Sequence, residues 1–158
     1  MEPAAPVRYA GFWKRANAYG YDLMIVQLMS LVPMLLFFDF PSMTMLTSDL
    51  GRGMEMLNGW FHRFGQFVIV ISTAYNIYYI ASPAQATPGK RFCNCYVVNK
   101  DGSRLTLAQS ALRHAMCAIG TVTWGLGFLT VAFTHEKLAP HDMICNTRVL
   151  IKPKEKKS

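Results

Sequence analysis

The sequence predicts an all-helical integral membrane protein that carries one small cytoplasmic β-hairpin. Two observations give the membrane. Leu23–Phe38 holds no charged residue, with Gln27 and Ser30 as its polar interruptions, and Phe64–Ile80 is a second uncharged apolar run. A third gives the hairpin: short β-prone runs flank Asp101-Gly102. Composition agrees, with 52% hydrophobic residues against 16% charged and a mean hydropathy of +0.19. One domain, residues 1–158, is expected. Its full transmembrane helices lie at about 22–39 and 64–81, with a third apolar block at about 107–135. The hairpin falls at about 91–107 and a basic tail at 148–158.

The first span has an amphipathic lead-in. Tyr9, Phe12, Trp13, Lys14, Arg15, Tyr19, Tyr21 and Asp22 precede the apolar run. Arg15 and Asp22 are seven residues apart, nearly on one helix face and about 10 Å apart along the axis. An acid at the head of a span needs protein or water to face it. The run ends at Asp39-Phe40-Pro41 without a small-residue cleavage pattern, so it reads as a retained anchor rather than a signal peptide. Pro33 should kink it, with Ser30 or a neighbouring helix compensating.

Residues 39–63 read as a loop with a short interfacial helix. Met43, Met45, Leu46, Leu50, Met54 and Leu57 give a loose apolar pattern, broken by Gly51 and Gly53. Trp60, Phe61, His62 and Arg63 suit a membrane interface. In the second span, Ser72, Tyr75, Asn76 and Tyr79 fall at i, i+3, i+4 and i+7 and form one polar stripe. Such a stripe either glues helices together or walls a polar pathway.

The central segment, Ser82–Arg113, carries Lys90, Arg91, Lys100, Arg104 and Arg113. Its Thr87-Pro88-Gly89-Lys90-Arg91 is not a phosphate loop: the glycine required five residues before Gly89 is Ala84, and no Ser or Thr follows Lys90. The hairpin strands are expected near Phe92–Val98 and Arg104–Leu107. The last apolar block is interrupted by Gly120, Gly125 and Gly127 and is followed by a basic tail. With the N-terminus, central loop and tail all basic, an even number of crossings puts both termini in the cytoplasm. A broken helical pair, about 107–119 and 122–135, meets that requirement; a single crossing with an external tail is the alternative.

The net charge of +7 speaks for anionic headgroups. No nucleic-acid motif accompanies it, so nucleic acid is not an expected partner. The cysteines at 93, 95, 117 and 145 lack the spacing of a secreted disulfide framework and are expected as free thiols. Cys93 and Cys95 with His141 and Cys145 form a zinc alternative, weakened by the one-residue spacer. No metal, cofactor or enzymatic site is expected, since no nucleophile-and-base arrangement has a supporting context. Partners are expected to be the lipid bilayer and a homo-oligomer or hetero-oligomeric membrane complex, because so short a chain encloses little pathway alone.

The chain resembles the RDD family, membrane proteins named for an Arg and two Asp. Gly11-Phe12-Trp13-Lys14-Arg15 followed by Tyr21-Asp22-Leu23 is similar to the family's opening. Thr87-Pro88-Gly89-Lys90, Val97-Val98 and Asp101-Gly102 match its central segment, and Arg113 its following arginine. His141-Asp142 with Asn146-Thr147 matches its close, with Asn146 where glycine is usual. The resemblance covers nearly the whole chain and makes Arg15, Asp22 and Asp142 the name-giving triad. It implies a small multi-span protein, with a bacterial inner membrane as the expected location, and a component of ion or small-solute transport. A non-catalytic accessory or scaffold subunit is the other expectation. Physically, an Arg15–Asp142 pair would tie the end of the chain to the first helix. Asp22 would cap a broken helix near Gly120–Gly127, hydrogen-bond Asn76 or Tyr79, or bind a cation.

Overall fold

The computed structural model describes residues 8–40, 42–122 and 137–152. The elements are α1 (Phe12–Phe37), α2 (Met43–Ser48), α3 (Leu50–Ala81), α4 (Pro88–Phe92), β1 (Cys95–Asn99), α5 (Leu107–Val122), α6 (Pro140–Ile144) and β2 (Thr147–Ile151). They divide into two compact units, one drawn from Met1–Asp22 and Tyr75–Ser158, the other Leu23–Ala74.

Helices α1 and α3 are both long and apolar enough to cross a membrane. Little of either is covered by the rest of the chain: 22% of the apolar window of α1 and 11% of that of α3 is buried. Leu28, Val32, Leu35, Leu36 and Phe37 stand exposed along α1, a contiguous apolar surface of the kind that marks a membrane or protein contact. In the Leu23–Ala74 unit, the Ser30 hydroxyl donates to the Val26 carbonyl at 2.8 Å one turn before Pro33, and α1 continues through the proline. Trp60 stacks on Phe64 and meets Phe40 edge-on, and the Arg63 guanidinium lies over the Phe38 ring. Gly51 and Gly53 do not break the chain as expected. They lie inside α3, and Asp49 accepts the Arg52 and Gly53 amides at its start through its side chain and carbonyl respectively.

The other unit is built on the sheet. Strands β1 and β2 pair antiparallel, Cys95 opposite Ile151 and Asn99 opposite Thr147. Residues 8–10 extend the far edge of β2, where Ala10 N–H donates to Val149 and Ile151 N–H to Arg8. Ala10, Ile80, Cys95, Val97, Leu105 and Val149 form the core under it.

The expected hairpin at 91–107 is therefore corrected. A small antiparallel pair is present, but the partner of β1 comes from the end of the chain. The Asp101-Gly102 turn does form: Gly102 takes φ +83°, Gly102 N–H donates to Asn99, and Asp101 accepts from the Ser103 amide and hydroxyl. Beyond the turn the chain starts a helix instead of a strand. The Thr106 hydroxyl accepts the Gln109 amide and the Gln109 side chain accepts the Thr106 amide, a reciprocal cap that commits Leu107 onward to α5. Whether the block 107–135 crosses once or returns lies outside the described residues beyond α5.

Residues 87–99 and 139–151 repeat one design. Each opens on a helix cap before proline, Thr87-Pro88 and Ala139-Pro140. Each makes a five-residue helix, α4 or α6. Each closes it with cysteine and then a left-handed asparagine, Asn94 at φ +56° and Asn146 at φ +51°, before the strand. Position 146 thus needs the conformation glycine takes most freely and asparagine next. The two strands that emerge are β1 and β2, paired with each other.

Candidate functional site

The triad does not form a single cluster. Among the described residues no hydrogen bond or ion pair joins Asp22 to Arg15 or Asp142; each carboxylate organises its own network.

Asp22 serves α4. A five-residue helix leaves its first amides without intrahelical partners. The Thr87 hydroxyl faces the Lys90 amide at 3.4 Å, and Asp22 Oδ1 takes the Gly89 amide at 2.8 Å. The same carboxylate accepts the Tyr75 hydroxyl at 2.7 Å and the Thr87 hydroxyl at 2.5 Å, and Lys90 Nζ lies 3.7 Å from Oδ2. Asp22, Tyr75 and Thr87 are buried. Desolvation draws the Lys90 ammonium below the ordinary lysine value; Asp22 opposes this and Arg113 adds to it. Gly89 is required by packing and not by backbone conformation. A Cβ there would meet the Ala18 carbonyl and stand 2.7 Å from Asp22 Oδ1.

Asp142 serves the other motif. Ala139 has no capping side chain, so Asp142 reaches back to the Ala139 amide at 3.3 Å. Its carboxylate is fully buried between two guanidiniums: Arg15 Nη1 bonds Oδ2 and Arg113 Nη2 bonds Oδ1 at 2.6 Å. Thr147 Oγ1, 3.2 Å from Oδ1, accepts from Arg113 Nε. The Arg15–Asp142 tie is therefore one half of a two-arginine clamp. The remaining Arg15 donors hold the Ala10 and Lys137 carbonyls at 3.0 and 2.7 Å. Burial alone would raise the Asp142 carboxyl, but Arg113 and Arg15 outweigh it and hold it well below the carboxylate range. Burial first, then Arg113, pushes His141 down to about 4 against the pull of Asp142.

Of the expected Asp22 partners, the Gly120–Gly127 segment lies outside the described residues beyond Val122. Within the polar stripe the Tyr75 hydroxyl donates to Asp22, and the Tyr79 ring packs 4.9 Å from that of Tyr75. Ser72 and Asn76 each have partners of their own. Thr87, Gly89 and Lys90 stand in the sequence only as part of the RDD-like central segment, with no role attached, because their glycine and lysine suggest phosphate binding and fail its pattern. The Thr-Pro pair before a short basic run was the available signal for a capped helix. The zinc alternative is not assembled: Cys95 lies in the sheet core, and no group of three His, Cys, Asp or Glu among the described residues is placed to hold a metal. Cys93, Cys95, Cys117 and Cys145 are free thiols.

A family model described as the RDD family matches residues 9–146. The chain belongs to the RDD family. Relatives in Bacillus subtilis (strain 168) include uncharacterized protein YxaI, 32% identical over 148 residues that cover 90% of this chain and 97% of YxaI. Uncharacterized protein YckC is 28% identical over 145 residues, 89% of this chain and 83% of YckC. No solved structure matches. The RDD match spans both carboxylates and both arginines of the clamp, and with the two exposed apolar helices it points to a membrane protein.

Proposed function

We propose that this RDD protein is a non-catalytic accessory or scaffold subunit of a bacterial inner membrane, with both termini cytoplasmic. The Arg-Asp-Asp triad is then a pair of latches that hold the sheet-bearing unit together. The carrying observation is the occupancy of Asp22, which faces Tyr75, Thr87, the Gly89 amide and Lys90. A carboxylate whose acceptor positions are filled by the protein's own donors is engaged in holding structure. Partner binding then falls to the basic cytoplasmic surfaces.

A transport reading is favoured by one detail: the ammonium beside Asp22 belongs to Lys90, an internal cation that a solute ion would replace. Lys90→Gln separates the two. Under the latch reading, the variant reconstituted in vesicles shows no cation-dependent stabilisation and no cation flux. Under the transport reading, removal of the competitor increases cation-dependent stabilisation, and Asp22→Asn abolishes it. Mass measurement of what co-migrates in mild detergent identifies the partner the scaffold reading requires; a chain that migrates alone and gains cation dependence in Lys90→Gln overturns that reading.

A further inference from the structure

We infer that the mouth of α1 holds a dedicated site for the phosphate headgroup of an anionic phospholipid. Within the sheet-bearing unit an open groove of about 640 Å³ is lined by Arg8, Gly11, Phe12, Trp13, Lys14 and Lys137, together with Tyr9 and Ile151. That volume is ample for a lipid headgroup. Three cations line it, and among the described residues none of them has a carboxylate at ion-pair distance. Unpaired cations converging on one concavity call for an anion.

Lys137 is held there at a cost. Its backbone sits at φ +52°, a left-handed conformation disfavoured for a side chain of this kind, and Arg15 fixes it by donating to its carbonyl at 2.7 Å. Its ammonium reaches back over Gly11, 3.5 Å from where a Cβ would stand. The clamp on Asp142 thus also positions a cation. The occupant is lipid and not free phosphate because of what surrounds the charge. Trp13 is 77% exposed on the same wall, packed edge-on to Phe12, and it begins a helix of membrane-spanning length. An exposed tryptophan at the head of a span sits at the headgroup level, where Lys and Arg meet phosphate.

The inference rests on the membrane reading, which fractionation of cells tests separately; headgroup selectivity is read on purified protein. Melting is followed in neutral detergent with added phosphatidylglycerol or phosphatidylcholine, and retained lipid is counted by native mass spectrometry. Phosphatidylglycerol is expected to stabilise the wild type more than phosphatidylcholine. Lys14→Gln/Lys137→Gln should weaken that preference roughly 25-fold, about fivefold per cation, while melting normally in phosphatidylcholine. Lys137→Gln alone should give the intermediate loss. Lys100→Gln/Arg104→Gln, equal in charge but away from the groove lining, should keep the preference. Inorganic phosphate should not substitute. A site variant that keeps the wild-type preference, a control that loses as much, or full stabilisation by inorganic phosphate would each overturn the assignment.

Discussion

Replacing Gly89 with alanine tests the close approach of α4 to α1. The backbone at 89 is not left-handed, so alanine carries no conformational penalty there, and the whole effect must come from contact. The new methyl would press on the Ala18 carbonyl and stand 2.7 Å from Asp22 Oδ1 and 2.8 Å from its Cγ. Neither is the loose end of a flexible chain: Ala18 is helix backbone, and the carboxylate is fixed by Tyr75 and Thr87. To admit the methyl, α4 must retreat, which lengthens the Gly89 N–H bond to Asp22. Overpacking costs about 1–3 kcal/mol. A hydrogen bond to a charged group contributes about 1.5–3 kcal/mol more. Together these predict a loss of roughly 3–6 kcal/mol, and a melting temperature lower by about 10 °C or more for a chain of this size. Thermal unfolding in mild detergent reads it. Gly20→Ala is the control, since nothing lies within 4 Å of a Cβ there and α1 continues through the site; it should be neutral or gain about 0.4–1 kcal/mol. A Gly89→Ala protein that melts with the wild type would refute the latch between α1 and α4.

The clamp on Asp142 makes two further predictions. Arg113→Ala and Arg15→Ala should each cost about 3–5 kcal/mol, because each leaves a buried charge half paired. The double variant should cost less than the sum, which a double-mutant cycle in denaturant melts measures. Stability should also fall on mild acidification. Folded His141 takes its proton only near pH 4 while the ordinary value is 6.5, so the unfolded chain binds more protons between those limits and stability drops as pH falls through them. Asp142 adds a loss of the same sign below the ordinary carboxylate value of 3.8. Melting temperatures across pH 7 to 4 should decline, and His141→Gln should flatten that decline; an unchanged slope would sink the assignment.

The two long apolar helices, and Arg15 and Asp22 on one face of the first, were legible because they are written in local chemistry; Asp142 was reached through the family resemblance. A run without charge and an acid at the head of an apolar helix each carry their cause with them. The pairing of strands is not local. β1 was readable from its β-prone residues, but nothing near it announces that its partner lies beyond α5. The nearer candidate, Arg104–Leu107, failed because Thr106 and Gln109 spell a helix cap, a signal weaker to the eye than the turn before it. The Asp22 site was half legible. The need for donors followed from burying an acid, yet the donors come from a segment whose lysine and glycine suggest anion binding. Arg113 was visible as a charge but not as the second half of the Asp142 clamp, since one arginine suffices to explain one aspartate.

The twin helix-strand motifs share a shape and differ in charge. The third helical position is Lys90 in α4 and Asp142 in α6, and the groups that come to meet them are an aspartate and two arginines. Charge therefore works as an address. During synthesis β1 emerges long before β2 and could accept the wrong strand, including the β1 of a neighbouring chain. Two copies of the first motif would set lysine where the clamp requires aspartate, and two of the second would set aspartate where the α1 carboxylate already stands. Like-charge encounters of this kind carry a penalty that matching backbone bonds do not remove. The likeness that lets the two motifs pair thus comes with the means of telling them apart.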